Sequence, residues 1–119
     1  AELSLGQWEG LSVNEVKDRF PGSYEQRSRN IRSFRPLDGE SFQDLQDRCW
    51  PVFETIVRKT VYCTAVVSHA GVNRALLCKL TGMPLENLFR IEQNYGCLNV
   101  IKHWRGSYQL QSINYLPGL

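Results

Sequence analysis

The stretch VVSHAGVNRALL, residues 66–77, joins an apolar run to a helical pattern through one histidine and one glycine. The apolar run, VYCTAVV at residues 61–67, is short and rich in β-branched side chains. With apolar residues on both faces, it is typical of an interior strand of a parallel sheet. The pattern that follows predicts a helix from about Val72 to a stop at Gly82. A strand, a turn and a helix in this order predict an α/β fold with helices on the faces of the sheet.

Two cap signals predict helices before this stretch. Ser12 followed by Glu15 predicts a capping box for a short helix that ends near Pro21. Ser41 followed by Asp44 predicts the start of a longer helix. Apolar residues recur in that second helix at the spacing of one buried face, so we expect it to pack against the core.

Prolines and glycines interrupt the rest of the pattern. Pro51 should kink or split the second helix, and the polar residues 22–40 are expected to form broken helix and loop. After Gly82, a short helix is predicted to start at Pro84. CLNVIKHW at 97–104 and YQLQSIN at 108–114 predict a β-hairpin.

The predicted sheet is incomplete. A strand at residues 61–67 that is buried on both faces needs a neighbouring strand at each edge. The hairpin could supply one neighbour, and no other segment of the 119 residues supplies the second. The length is enough for one small domain, residues 1–119, so we expect a single α/β domain that lacks part of its sheet.

Composition excludes several classes of protein. The net charge of +2 is too small to indicate a nucleic-acid or membrane-surface partner, and the chain has neither a membrane-spanning stretch nor a signal-peptide pattern. Cys49, Cys63, Cys78 and Cys97 form no CxxC pair, and the first three lie on predicted apolar faces. Buried free thiols in a reducing, cytoplasmic compartment are expected, with no metal site.

His69 is the candidate centre of a functional site. It would follow a strand, where ligands gather in open α/β sheets. Gly71 permits a tight turn, and the next helix points its first N–H groups at the same place. A phosphate pocket is one interpretation, and a histidine that only bonds a backbone group is the alternative. His103, in a strand of mixed polarity, is expected to be structural.

Two further groups could serve such a pocket. The stretch ELSLGQWEG carries two glutamates, Glu2 and Glu9, and a carboxylic acid beside a phosphate could protonate a leaving alkoxide. A solvated carboxylate in a loop is the alternative. Arg27, Arg29, Arg32 and Arg35 could bind an anionic substrate through bidentate contacts, with Arg35 as the expected substrate contact. A solvated basic face explains the four arginines equally well.

Four segments together resemble one family. In chain order they are ELSLGQWEG (2–10), DGESFQDLQDR (38–48), VVSHAGVNRALL (66–77) and FRIEQNYGCLNVI (89–101). They resemble the histidine phosphatase superfamily in its phosphoglycerate-mutase-like branch, and within that branch most closely the alpha-ribazole phosphatases and related small phosphomonoesterases. The resemblance implies a three-layer α/β/α phosphoglycerate-mutase-like fold.

The resemblance also implies roles for individual residues. Glu2 matches the general acid, His69 the second histidine that helps to hold the phosphoryl oxygens, and Ala70 the position whose backbone N–H binds phosphate. No metal and no cofactor are implied. The implied activity is hydrolysis of a small phosphorylated metabolite through a phosphohistidine, with mutase-type phosphoryl transfer as the alternative in the same class.

One part of the family pattern is absent from this sequence. The family's nucleophile is a histidine in an Arg-His-Gly motif, which does not occur in the 119 residues. We therefore expect the chain to be the C-terminal portion of a longer enzyme and to be inactive alone. A non-catalytic phosphate-binding or regulatory module is the alternative. The exposed edge of an incomplete sheet could also pair two copies into a homodimer.

Overall fold

Helices dominate the part of the chain that the structure, a computed structural model, describes, residues 1–118. The helices are α1 (Val13–Arg19), α2 (Ser23–Arg29), α3 (Phe42–Lys59) and α4 (Ala70–Thr81). Two 3-10 turns span Gly6–Trp8 and Leu85–Arg90, and a hairpin is formed by β1 (Leu98–Trp104) and β2 (Ser107–Tyr115).

Both predicted helix caps are confirmed. At the start of α1, the Ser12 hydroxyl accepts the Glu15 N–H while the Glu15 carboxylate accepts the Ser12 N–H. Ser41 and Asp44 form the same reciprocal pair at the start of α3. Pro51 lies inside α3 and the helix continues through it, so the helix is not split there.

The predicted helix after residue 69 and the predicted hairpin are also confirmed. α4 begins at Ala70, two residues before the predicted start, and ends at Thr81. Its C-cap is Gly82, whose φ of 77° is the left-handed conformation that glycine adopts readily. β1 and β2 pair antiparallel around a two-residue turn, with Trp104 opposite Ser107.

The predicted buried strand at residues 61–67 is wrong. This segment forms no strand, and the two-stranded sheet of the described residues contains only β1 and β2. The hairpin does not pair with it, and its side chains face outward, with Tyr62 97% and Val67 98% exposed. β-branched residues favour extended backbone, but a strand needs a neighbour to accept and donate its backbone hydrogen bonds.

The core lies around α4, which packs against α3, the second 3-10 turn and β2. Its buried members are Phe42, Leu45, Val72, Ala75, Leu77, Cys78, Leu85, Leu88 and Ile91. Trp8 is buried apart from this cluster, against the rings of Phe34 and Tyr24. Among the described helices, none has the length and apolar character to cross a membrane.

The four cysteines are all free, but they differ in burial. Cys78 is buried as predicted, and burial raises the pKa of its thiol. Cys49 and Cys97 are half-buried. Cys63 is exposed, contrary to the prediction, because the segment that carries it has no strand to pack against.

Candidate functional site

His69 is the N-cap residue of α4, so it precedes the helix as predicted, but it does not follow a strand. Its backbone is extended, with φ −124° and ψ 161°, and its side chain does not cap the helix. The imidazole is exposed and forms no hydrogen bond within residues 1–118. The alternative interpretation, a histidine that only bonds a backbone group, therefore has no support in the structure.

The carboxylate of Glu2 binds the first turn of α4. One oxygen accepts the Gly71 N–H at 2.8 Å and the other accepts the Val72 N–H at 3.1 Å, although these residues are about 70 positions apart in the chain. The second oxygen also accepts the Leu3 N–H at 2.9 Å. A negative charge is favourable at a helix N-terminus. Glu2 is therefore a half-buried, bound carboxylate and not a solvated one.

Gly71 allows this contact because it has no side chain. A Cβ at position 71 would lie 2.6 Å from Oε1 of Glu2, and the three nearest atoms all belong to that carboxyl group. The N–H of Ala70, one residue earlier, has no acceptor among the described residues. The turn thus has one N–H that remains available to an anion beside two that Glu2 already occupies.

Backbone hydrogen bonds hold the Glu2 segment against the loop before α3. The Glu40 N–H donates to the Ser4 carbonyl, and the Gln7 N–H donates to the Leu37 carbonyl, each at 2.8 Å. Gly6 is needed at this contact, because its φ is 54° and a Cβ there would lie 2.2 Å from the Leu37 carbonyl oxygen. Two of the segments that carry the family resemblance, 2–10 and 38–48, are therefore in direct contact.

The predicted basic group separates into paired and unpaired arginines. Arg32 forms an ion pair with Glu86, and Arg35 forms a bidentate ion pair with Asp44. Hydrogen bonding to Arg35 holds the pKa of Asp44 well below its usual range. Arg35 forms no hydrogen bond with the α4 turn, so its role as the substrate contact stays a prediction.

Arg35 also lines a cavity of about 620 Å³, at a different place from the α4 turn. The cavity walls are Trp8, Phe20, Ser23, Gln26, Asn30, Ser33, Phe34, Arg35 and Leu37. Neither Glu2 nor His69 is among them. The structure therefore brings Glu2, His69 and Ala70 together and leaves Arg35 at a separate surface.

Two arginines, Arg27 and Arg74, lie close to the ring of Phe89. Of the two, the sequence predicts an anion-binding role only for Arg27. The guanidinium of Arg27 lies 5.8 Å from the ring centroid of Phe89 and that of Arg74 lies 5.5 Å from it. Arg74 also donates from Nε to the Ile91 carbonyl at 2.7 Å. Within residues 1–118 neither cation forms an ion pair with a carboxylate, and burial lowers the pKa of Arg27. The position of Arg74 in the sequence relative to His69 matches no motif that would indicate a binding role for it.

No metal centre is formed by the described part of the chain. Residues 1–118 contain no group of three His, Cys, Asp or Glu side chains placed to hold a metal ion. The chemistry available at the α4 turn is that of a carboxyl group, an imidazole and backbone N–H donors.

Comparison with known proteins gives matches over most of the chain. The model of a family described as histidine phosphatase superfamily (branch 1) matches residues 1–116. The 6-phosphofructo-2-kinase/fructose-2,6-bisphosphatase of Arabidopsis thaliana is 33% identical over 91 residues, which is 76% of this chain and 12% of that protein. The glucosyl-3-phosphoglycerate phosphatase of Mycolicibacterium vanbaalenii is 33% identical over 94 residues, 72% of this chain and 41% of that protein.

A similar fold is seen in solved structures. The alpha-ribazole phosphatase from Shigella flexneri superimposes with a TM-score of 0.83 and 24% identity, over 97% of this chain and 58% of that one. The chain spans less than two thirds of each of these relatives. The predicted α/β fold with an incomplete sheet is confirmed by this likeness and by the two-stranded sheet.

Proposed function

Because the chain belongs to the histidine phosphatase superfamily (branch 1), we propose that it is part of an enzyme that hydrolyses small phosphomonoesters through a phosphohistidine. The observation that carries the proposal is the Glu2 carboxylate on the first turn of α4, two residues from His69. An acid, an imidazole and an available N–H at one helix N-terminus are groups that can bind a phosphoryl group and protonate its leaving oxygen.

The proposed mechanism divides these groups by role. The Ala70 N–H and the His69 imidazole hold the phosphoryl oxygens at the positive end of α4. The phosphoryl group passes to a histidine outside these 119 residues. As the P–O bond breaks, Glu2 gives a proton to the leaving oxygen, so it enters this step as the protonated acid and not as the carboxylate that accepts the Leu3, Gly71 and Val72 N–H groups. Water then attacks the phosphohistidine, gives a proton to Glu2 and releases phosphate.

The substrate proposed is a small phosphomonoester with a second anionic group. Arg27 and Arg74 support this, because two cations without carboxylate partners lie at one ring, Phe89, and Arg74 is on the same helix as the α4 turn. One relative is named for fructose 2,6-bisphosphate. An alpha-ribazole phosphatase-like or broad-specificity phosphatase, the expectation from the sequence resemblance, stays an alternative. The pair of arginines is compatible with a mutase that acts on a phosphorylated sugar acid, which stays the second candidate.

Binding experiments on the 119-residue chain test the substrate class. We expect a sugar bisphosphate to bind about tenfold or more tightly than the matching monophosphate, a difference of about 1.4 kcal/mol. Arg27→Met and Arg74→Met should each remove most of that preference. Arg29→Met is the matched control, since Arg29 is an exposed arginine of the same helix as Arg27. Equal affinities for the two ligands in the unmodified chain would contradict the proposed substrate class.

A phosphatase assay of the isolated chain tests the proposed mechanism, in which the nucleophilic histidine lies outside the 119 residues. Without a nucleophilic histidine, the purified 119 residues should release no phosphate from p-nitrophenyl phosphate. Measurable release without added metal would contradict the mechanism. A non-catalytic phosphate-binding or regulatory module would also be inactive. An open reading frame with Arg-His-Gly upstream of Ala1 favours the enzyme, and a start at Ala1 favours the module.

Two further expectations belong to the same proposal. Free thiols at all four cysteines support a reducing, cytoplasmic location. The exposed apolar side chains of residues 61–67 support a homodimer through this segment, in place of the sheet edge expected from the sequence. A light-scattering mass equal to one chain would contradict the homodimer.

A further inference from the structure

Arg48 and Glu40 form a bidentate ion pair beside the start of α3. Arg48 donates from Nε to Oε2 of Glu40 at 2.9 Å and from Nη2 to Oε1 at 3.0 Å. This hydrogen bonding lowers the pKa of Glu40 from its ordinary value. The side chains are 41% and 21% exposed, and exposed ion pairs contribute little to stability by themselves. The pair therefore calls for an explanation other than general stability.

Both partners also bind the segment that carries Glu2. Arg48 donates from Nη2 to the Ala1 carbonyl at 3.0 Å. Glu40 accepts the Ser4 N–H at Oε1, also at 3.0 Å, and its own N–H donates to the Ser4 carbonyl at 2.8 Å. The contacts at residues 1 and 4 thus hold the chain on both sides of Glu2.

Besides these contacts, the segment is held by the packing of Leu3 against the core and by the Glu2 carboxylate on α4. Residues 1–5 form neither helix nor strand, so their backbone depends on such contacts for a defined position. α3, which carries Arg48, packs on α4, which carries the N–H groups of Gly71 and Val72. The groups that hold the backbone of Glu2 and the groups that bind its carboxylate are therefore on two helices in contact.

We propose that Arg48 and Glu40 are positioning residues that hold Glu2 at the first turn of α4. The inference rests on the proposed function for the role of Glu2 as the acid, and on the contacts above for its position. Loss of the pair removes the Arg48 bond to the Ala1 carbonyl and the Glu40 side-chain bond to the Ser4 N–H, so the Glu2 carboxylate leaves the Gly71 and Val72 N–H groups for part of the time. Since proton transfer requires the acid within hydrogen-bond reach, the pair would act on the reaction through Glu2 alone.

Amide NMR spectra of the 119-residue chain test the inference. Glu2→Gln provides the reference spectrum, because it removes the charge that the Gly71 and Val72 N–H groups bind. We expect Arg48→Met to move both amide proton resonances by half or more of the change seen in Glu2→Gln. Arg48→Lys, which keeps the charge, should move them less. A general loss of structure would instead move resonances throughout α4.

Arg35→Met is the matched control. It breaks a similar bidentate ion pair, Arg35 with Asp44, at the start of the same helix, and neither partner forms a hydrogen bond with residues 1–4. The Gly71 and Val72 resonances should stay at their wild-type positions in this variant. Glu40→Gln is the second test variant in case Arg48→Met does not fold, and it should give the same direction of change.

The outcomes separate this inference from the proposed function. Wild-type Gly71 and Val72 resonances in folded Arg48→Met or Glu40→Gln would overturn the inference and leave the phosphatase proposal intact. Movement of the same size in Arg35→Met would also overturn it. Failure of the chain to bind inorganic phosphate would contradict the proposed function, while the positioning of Glu2 would still be decided by the amide spectra.

Discussion

Replacement of Gly71 by alanine tests the contact between Glu2 and α4. Gly71 has no positive φ and lies within the helix, so alanine fits its backbone, and helix propensity alone predicts a gain of about 0.8–1 kcal/mol. The new Cβ would lie 2.6 Å from Oε1 of Glu2 and displace the carboxylate. Two hydrogen bonds to a charged group, at the low end of about 1.5–3 kcal/mol each, would be lost. We expect a net destabilisation of about 2 kcal/mol.

Urea denaturation of four chains gives the measurement and its control. They are the wild type, Gly71→Ala, Glu2→Ala and the double variant. In the Glu2→Ala background no carboxylate remains to be displaced, so Gly71→Ala should stabilise the chain by up to about 1 kcal/mol. The sign of the alanine effect should therefore reverse between the two backgrounds. Stabilisation by Gly71→Ala in both would refute the reasoning, because Glu2 would then not bind α4.

Three other perturbations follow from the same structure. Ser41→Ala should destabilise the chain by about 1 kcal/mol in urea denaturation, and Ser12→Ala by less, because the Ser41 cap is buried and begins the helix that packs on the core. Arg35 and Arg48 lower the pKa values of Asp44 and Glu40 in the folded chain. The stabilisation that these two carboxylates contribute is therefore complete above about pH 4–5 and is lost as the pH falls through their lowered pKa values. Asp44→Asn should make the urea midpoint less dependent on pH in this acidic range. Gly6→Ala should cost clearly more than Gly10→Ala, since both have positive φ but only Gly6 would place a Cβ against backbone atoms, and conformation alone costs about 1–2 kcal/mol. Equal costs at Gly6 and Gly10 would contradict the close approach of residues 6 and 37.

Helix boundaries could be predicted because their signals are local. The caps at Ser12 and Ser41 bond residues three positions later, and the Gly82 stop depends on the conformation of one residue. The hairpin is similar, since its two strands are separated by only two residues. In each case the groups that decide the structure lie within a few residues of one another.

The segment at residues 61–67 shows where local signals fail. Its β-branched composition predicts a strand, but a strand exists only when another segment supplies the hydrogen-bonding partner. The described chain supplies none, so the same residues form no strand and are exposed. The β propensity of a segment shows that it can adopt a strand conformation, but hydrogen bonding to a neighbouring strand decides whether a strand forms.

The candidate site divides in the same way. The sequence by itself determined the position of His69 at the start of α4, the caps that begin α1 and α3, and the motif order by which the family is identified. Only the tertiary structure decided that Glu2 binds Gly71 and Val72, because that contact joins residues about 70 positions apart through the packing of α3 on α4. It also decided that Arg35 pairs with Asp44 while Arg27 and Arg74 meet at Phe89. Charge pattern shows which side chains could bind an anion, but the folded chain determines which of them already have a partner.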